Sequence, residues 1–323
     1  MIFSSKATLQ RRLAAARVVA SFLGALGLGL FAACGGGTSQ YETFIPQRLL
    51  VFGDDTSTLT PTGLKYGVNA VDSTGLAIDC TQQPIWVQSI ANQYGFAFAE
   101  CNPNFAEPRA FMRAGVGAKV ADVAAQVEAQ VAAGGFRDKD LATVLAGTND
   151  IIELYQQYPG RSVASLVSEA GARGQQLAGV VNRLVALGVK VVVSDLPDVG
   201  LTPYAAAQKA LDLTGLDRAA LISQLTTAFN EQLGVNVVLD GRYVGLVQAQ
   251  LRFQAVSVSP GSFGLSNITD TVCTVELPNC NTNTLLPGVT LSAYLWADDQ
   301  HLAPTGHSQL AALAIDRAAR NPF

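Results

Sequence analysis

The feature that most limits how this chain can fold is a series of short apolar runs of strand length alternating with stretches of helical period. Arg48-Leu49-Leu50-Val51-Phe52-Gly53 comes first, ended by glycine and two aspartates, and Leu141 to Ala146, Lys190 to Ser194 and Tyr243 to Val247 follow. These runs read as buried strands. Between and around them, Val120 to Ala133 sets Val120, Val123, Val127 and Val131 on one helical face and stops at Gly134-Gly135. Pro84 to Tyr94, Val163 to Leu187, Arg218 to Leu239 and Leu310 to Ala319, the last begun near Pro304, complete the expected helices. Thr56 to Cys80, rich in Thr, Gly, Asp and Asn, reads as a loop or short hairpin. Strands alternating with helices in this way imply an α/β fold, a three-layer α/β/α sandwich around a parallel sheet. Ligands in such sheets bind outside the carboxyl ends of the strands. Chemistry is therefore to be sought at Asp54-Asp55, at Gly147 to Asp150, and in the loop before the last helix.

At 323 residues, with 49% hydrophobic and 14% charged content, the chain is long enough for one sizeable core, so one domain over residues 47–323 is expected. The residues ahead of it differ in kind. Lys6, Arg11, Arg12 and Arg17 lead into an uncharged apolar run from Val18 to Ala33, the pattern of an export signal over residues 1–33. A plain signal peptide or a membrane anchor would share these features. The run ends Phe31-Ala32-Ala33-Cys34-Gly35-Gly36-Gly37, which resembles a bacterial lipoprotein cleavage box. That resemblance implies lipidation of Cys34, a tether over residues 34–46, and a place in the bacterial envelope, anchored to the outer membrane and facing the periplasm or the surface. Removing the leader takes four of the 21 basic residues and no acidic ones, leaving 17 against 25 and a charge of −8. Such a surface repels nucleic acid.

With Cys34 set aside, Cys80, Cys101, Cys273 and Cys280 remain, an even number in a chain expected to leave the reducing cytosol. Three pairings are possible, and the sequence-local one, Cys80 with Cys101 and Cys273 with Cys280, is expected. Metal binding is the poorer account. There is no C-x-x-C pair, and the two histidines, His301 and His307, are distant from these cysteines in sequence.

Three segments at the expected strand ends carry a resemblance. Gly53-Asp54-Asp55 resembles the Gly-Asp-Ser block of the SGNH/GDSL hydrolases, Gly147-Thr148-Asn149-Asp150 matches their Gly-x-Asn-Asp block, and Asp298-Asp299-Gln300-His301 is similar to their Asp-x-x-His. A weaker fourth is Arg113-Ala114-Gly115-Val116-Gly117-Ala118, similar to the family's glycine block. The resemblance implies a flavodoxin-like sheet and an esterase or lipase acting on a small-molecule ester or lipid, without a cofactor. It implies His301 as the base, Asp298 as its orienting acid, and Gly117 N–H with the Asn149 amide as oxyanion donors. His307 is expected to be a surface residue at the start of the last helix.

The family's nucleophilic serine falls on Asp55. A carboxylate attacking an ester carbonyl gives an anhydride that returns to starting material. Thr56 and Ser57 are the nearest hydroxyls, but a shift of one residue moves the attacking oxygen by about 3.3 Å along an extended chain. Two active readings stay open: Asp55 and His301 together activate water, or Asp55 attacks a saturated carbon and His301-activated water cleaves the resulting ester. In a third, silent reading Asp55 forms an ion pair with His301, leaving a binding protein for a lipid, glycan or ester ligand.

Overall fold

The computed structural model describes residues 44–211 and 215–323, so the leader, Cys34 and most of the tether lie outside the described residues. Five strands make the central sheet: β1 (Arg48–Gly53), β4 (Ala110–Met112), β5 (Asp140–Leu145), β6 (Lys190–Ser194) and β7 (Val244–Val247). They lie side by side as β4-β1-β5-β6-β7, all neighbours parallel. Numbered within the sheet, that is the order 2-1-3-4-5 of flavodoxin-like folds, whose switch point lies between the first and third strands. Here those strands are β1 and β5.

The apolar runs form this sheet because it is covered on both sides. Leu49 to Phe52, Leu141, Ala142, Val144 and Val191 to Val193 are all buried. Helices α2 (Val120–Ala132), α4 (Val163–Ala186) and α6 (Arg218–Asn236) pack one against the next, and α1 (Trp86–Gln93) packs against α8 (Pro304–Arg320). Glycine permits the closest helix contact: a Cβ at Gly174 of α4 would stand 2.0 Å from the Phe229 carbonyl oxygen of α6.

The remaining elements are short. The loop after β1 carries a two-residue hairpin, β2 (Ala70–Val71) with β3 (Ile78–Asp79), as its composition suggested. A second small sheet pairs β8 (Asn267–Thr271) with β9 (Tyr294–Trp296). Helices α3 (Thr148–Tyr155), α5 (Pro203–Ala210) and α7 (Ala249–Val258) complete the order. Both sequence-local disulfides are formed, Cys80 with Cys101 and Cys273 with Cys280. No helix among the described residues is long and apolar enough to cross a membrane.

Candidate active site

At the carboxyl end of β1 the chain must turn sharply against β5, and Gly53 allows it. Its φ is +147°, and a Cβ there would stand 2.2 Å from the Leu145 carbonyl oxygen. The Gln126 amide of α2 clamps the turn, accepting from Gly53 N–H and donating to Gly53 C=O, each at 2.9 Å. Asp54 then accepts from Thr56 N–H at 3.1 Å and starts a single 3-10 turn, Asp55–Ser57. Its other carboxyl oxygen is buried without a partner. Burial, and then the charge of Asp55, push Asp54 up to about 7.

That turn places Asp55 over the switch point, where it is 8% exposed. Its two oxygens accept from Gly117 N–H at 2.9 and 3.1 Å, and Oδ2 also accepts from the Asn149 amide at 2.8 Å. Gly117 reaches it from the loop between β4 and α2 with φ +68°, a left-handed conformation that suits glycine. Asn149 belongs to the first turn of α3, entered through Gly147, where a Cβ would lie 2.6 Å from the Phe229 ring. The donor loop and α3 are joined beneath the site: Asp150 accepts from Val120 N–H at 3.0 Å and from Arg173 at 3.2 Å. Burial raises Asp150 despite that N–H and the arginine.

His301 comes to the same end of the sheet from a different part of the chain, near enough for the Asp55 charge to act on it. Its Nδ1–H donates to both oxygens of Asp298, at 2.8 and 2.9 Å, and its own N–H donates to Asp298 Oδ1 at 2.7 Å. Nδ1 is thereby protonated and Nε2 is the nitrogen able to accept a proton. Burial lowers the imidazole pKa, but Asp298, with Asp55 and Asp54 beyond it, outweighs burial and lifts His301 above its ordinary value. Asp298 is correspondingly held below the usual carboxylate range, its burial outweighed by His301 and two backbone N–H donors. The loop is fixed from both sides. Ala297 N–H donates to His301 C=O at 2.8 Å, and Cys273 N–H of the second disulfide donates to Ala297 C=O at 3.0 Å.

The structure thus gathers Asp55, Gly117, Asn149, His301 and Asp298 at one end of the sheet, as the sequence predicted. One open reading is not met and one expectation needs correction. Asp55 does not form an ion pair with His301: no N···O distance within 4.0 Å joins them among the described residues, because the carboxylate is turned onto the neutral donors instead. His307 is not a surface residue. It is 2% exposed on the first turns of α8, neither ring nitrogen has a partner, and burial holds its pKa down to about 3. Ser57 is unfit as a substitute nucleophile, being fully buried with its hydroxyl accepting from the Trp86 indole N–H at 3.1 Å.

One residue was missed. Tyr66 lies with its ring centroid 5.8 Å from that of His301, and burial followed by the charge of Asp55 raises its pKa. It comes from the loop after β1, which carries no motif, so its approach to the histidine could not be read from spacing. Among the described residues no group of three or more His, Cys, Asp or Glu side chains is arranged to hold a metal ion.

A parallel sheet of this order with polar groups converging at its switch point defines an α/β protein of the kind that binds ligands at the carboxyl ends of its strands. The sequence model of the GDSL-like lipase/acylhydrolase family matches residues 49–314, and the chain belongs to that family of ester hydrolases. No curated protein matches the chain. Similar solved structures include a lipase from a goat rumen metagenome, 13% identical with a TM-score of 0.49, covering 85% of this chain and 97% of that one. An acetylxylan esterase from Geobacillus stearothermophilus is 14% identical with a TM-score of 0.42, covering 86% and 97%. A lipolytic protein of the G-D-S-L family from Veillonella parvula is 13% identical with a TM-score of 0.41, covering 83% and 96%.

Proposed function

We propose that the chain is an envelope-anchored ester hydrolase of the GDSL type with an altered nucleophile position. In this reading His301 is the base, Asp298 fixes its tautomer, and Gly117 N–H and the Asn149 amide are the oxyanion donors. The observation that carries it is the convergence of these groups, from separate loops, on one carboxylate: Asp55 already rests where a developing oxyanion would be held. Position 55 carries no hydroxyl for an acyl-enzyme route, so in this reading hydrolysis proceeds through water deprotonated by His301 Nε2. An ester carbonyl must first displace Asp55 from the donors, which makes turnover of simple esters slow.

That same occupation favours a second reading, a catalytically silent relative that binds a lipid, glycan or ester ligand in the crevice. Hydrolysis of short- and long-chain aryl esters by the full chain in detergent, beside Asp55→Ser and His301→Ala, separates them. The hydrolase reading expects slow turnover that His301→Ala abolishes and Asp55→Ser accelerates. No turnover except in Asp55→Ser supports the silent reading, and activity indifferent to His301→Ala overturns the assignment of His301 as base. Anchoring through Cys34 is tested by labelling cells with a fatty-acid probe. The label should be lost in Cys34→Ala, and its persistence there removes the anchor.

A further inference from the structure

We propose that Asp55 is itself a nucleophile toward saturated carbon, and that the crevice opens an epoxide to a diol through an ester formed on Asp55. The inference rests on the base and donors of the preceding reading and adds a covalent step and a substrate class.

The two oxygens of the Asp55 carboxylate are held unequally. Oδ2 accepts from both Gly117 N–H and the Asn149 amide, whereas Oδ1 accepts only the shared Gly117 N–H, at 2.9 Å. Oδ1 therefore keeps a free lone pair, and Oδ2 is the better-held oxygen. For a carboxylate attacking an acyl carbon this arrangement is useless, since it occupies the donors the acyl oxygen needs. For a carboxylate attacking a saturated carbon it is productive. Alkylation of Oδ1 leaves Oδ2 as the carbonyl oxygen of a new ester, already seated between the two donors that stabilise a tetrahedral intermediate at Asp55 Cγ. The enzyme's own side chain becomes the acyl group.

The proton path needs one acid and one base. His301, with Nε2 unprotonated and Nδ1–H held by Asp298, is the base for water. Tyr66, whose ring lies beside that of His301 and whose ionisation is opposed by burial and by Asp55, is the acid. In the first step Asp55 Oδ1 bonds to a ring carbon, the ring C–O bond breaks, and the freed oxygen takes the Tyr66 hydroxyl proton. The product is a hydroxyalkyl ester of Asp55 and a tyrosinate. In the second, His301 Nε2 takes a proton from water as its oxygen bonds to Asp55 Cγ, with the negative charge on Oδ2 facing Gly117 and Asn149. Collapse breaks the Cγ–Oδ1 bond, the leaving alkoxide takes the proton from His301, and the Asp55 carboxyl proton returns to Tyr66. The sum is epoxide plus water giving a vicinal diol, with no oxidant or reductant. An alkyl halide would follow the same route without needing Tyr66, because halide leaves unprotonated and the Asp55 carboxyl proton is then released to solvent.

The test uses the full chain in detergent with styrene oxide and, separately, 1-bromobutane. His301→Gln should block only the second step. Peptide mass spectrometry is expected to find the styrene oxide adduct on Asp55 in His301→Gln, absent from Asp55→Asn, with both variants keeping the parent melting curve. A single turnover of the natural chain in heavy-oxygen water should place the label in the Asp55 carboxylate. Tyr66→Phe should slow adduct formation at least tenfold. No Asp55 adduct with either probe, or label found only in the diol, overturns the proposal, and an adduct with 1-bromobutane alone overturns the epoxide assignment. If the natural chain hydrolyses aryl esters, His301→Ala abolishes that turnover and no adduct forms, this inference fails and the ester hydrolase reading stands.

Discussion

Two buried aspartates sit at opposite ends of the central sheet and are held by opposite means. At the amino end of β5, Asp140 accepts from Arg48 Nε at 2.8 Å and from Arg137 N–H at 2.7 Å, so a cation meets the charge directly. At the carboxyl end of β1, Asp55 accepts from a backbone N–H and a side-chain amide, both neutral. The first arrangement fixes one partner permanently, because removing either member leaves a buried or half-buried charge uncompensated. The second holds negative charge with dipoles, which serve any oxyanion of similar shape equally well. One end of the sheet is built for stability, and the other to exchange what it holds.

That contrast can be broken most forcefully at the stable end. Asp140→Ala strands Arg48 and should cost about 3–5 kcal/mol in urea unfolding while leaving chemistry at Asp55 unchanged. Equal loss of stability from Asp55→Ala would erase the distinction between the two ends. At the exchangeable end, Asn149→Ala placed in the Asp55→Ser background should lower kcat for an aryl ester by about 10²- to 10³-fold, with an unaltered melting temperature. The rate of that Asp55→Ser parent should climb with pH, since only neutral His301 accepts a proton and Asp298 favours the protonated ring.

A fourth test concerns Asp54, whose carboxyl is raised from 3.8 to about 7 by burial and by Asp55. A raised folded-state pKa means that the folded chain binds the proton more tightly, so this contribution is complete below the unfolded value and is lost as pH rises from 3.8 to about 7. Asp54→Asn should remove that decline, worth on the order of 4 kcal/mol, in denaturation followed across this range. The smallest effect is expected at Gly117, where nothing lies within 4 Å of an added Cβ and φ is +68°. Gly117→Ala keeps the N–H and should cost only about 1 kcal/mol of stability. A loss of ester hydrolysis in the Asp55→Ser background far beyond that would mean that the left-handed turn itself, rather than the N–H, sets the site.

Much of this was legible in the sequence, for identifiable reasons. Arg48–Gly53 and Lys190–Ser194 fall where the apolar runs placed them, because a strand buried on both faces has no polar residues to blur its limits. Strand β4, Ala110–Met112, escaped notice: three residues carry no period, and its place is fixed by pairing with Leu49 to Val51. Helix α3 was hidden behind Gly147-Thr148-Asn149-Asp150, whose turn-forming residues conceal that Asn149 and Asp150 lie in its first turn. Strand β8, Asn-Ile-Thr-Asp-Thr, is too polar to announce itself.

The residues of the candidate site were named from sequence through the resemblance of their motifs to those of the GDSL family, and Asp55 and Asn149 also follow apolar strands, where a parallel sheet presents its ligands. Sequence also determined the chemistry that could not occur there, since position 55 offers no hydroxyl. The direction in which the Asp55 carboxylate points was decided only by the tertiary structure. Its partner could have been His301 or the two neutral donors, and that choice depends on Gly117, Asn149 and His301 arriving from loops 62, 94 and 246 residues away. Hydrogen-bond geometry acts over about 3 Å, and no local pattern in the chain encodes it.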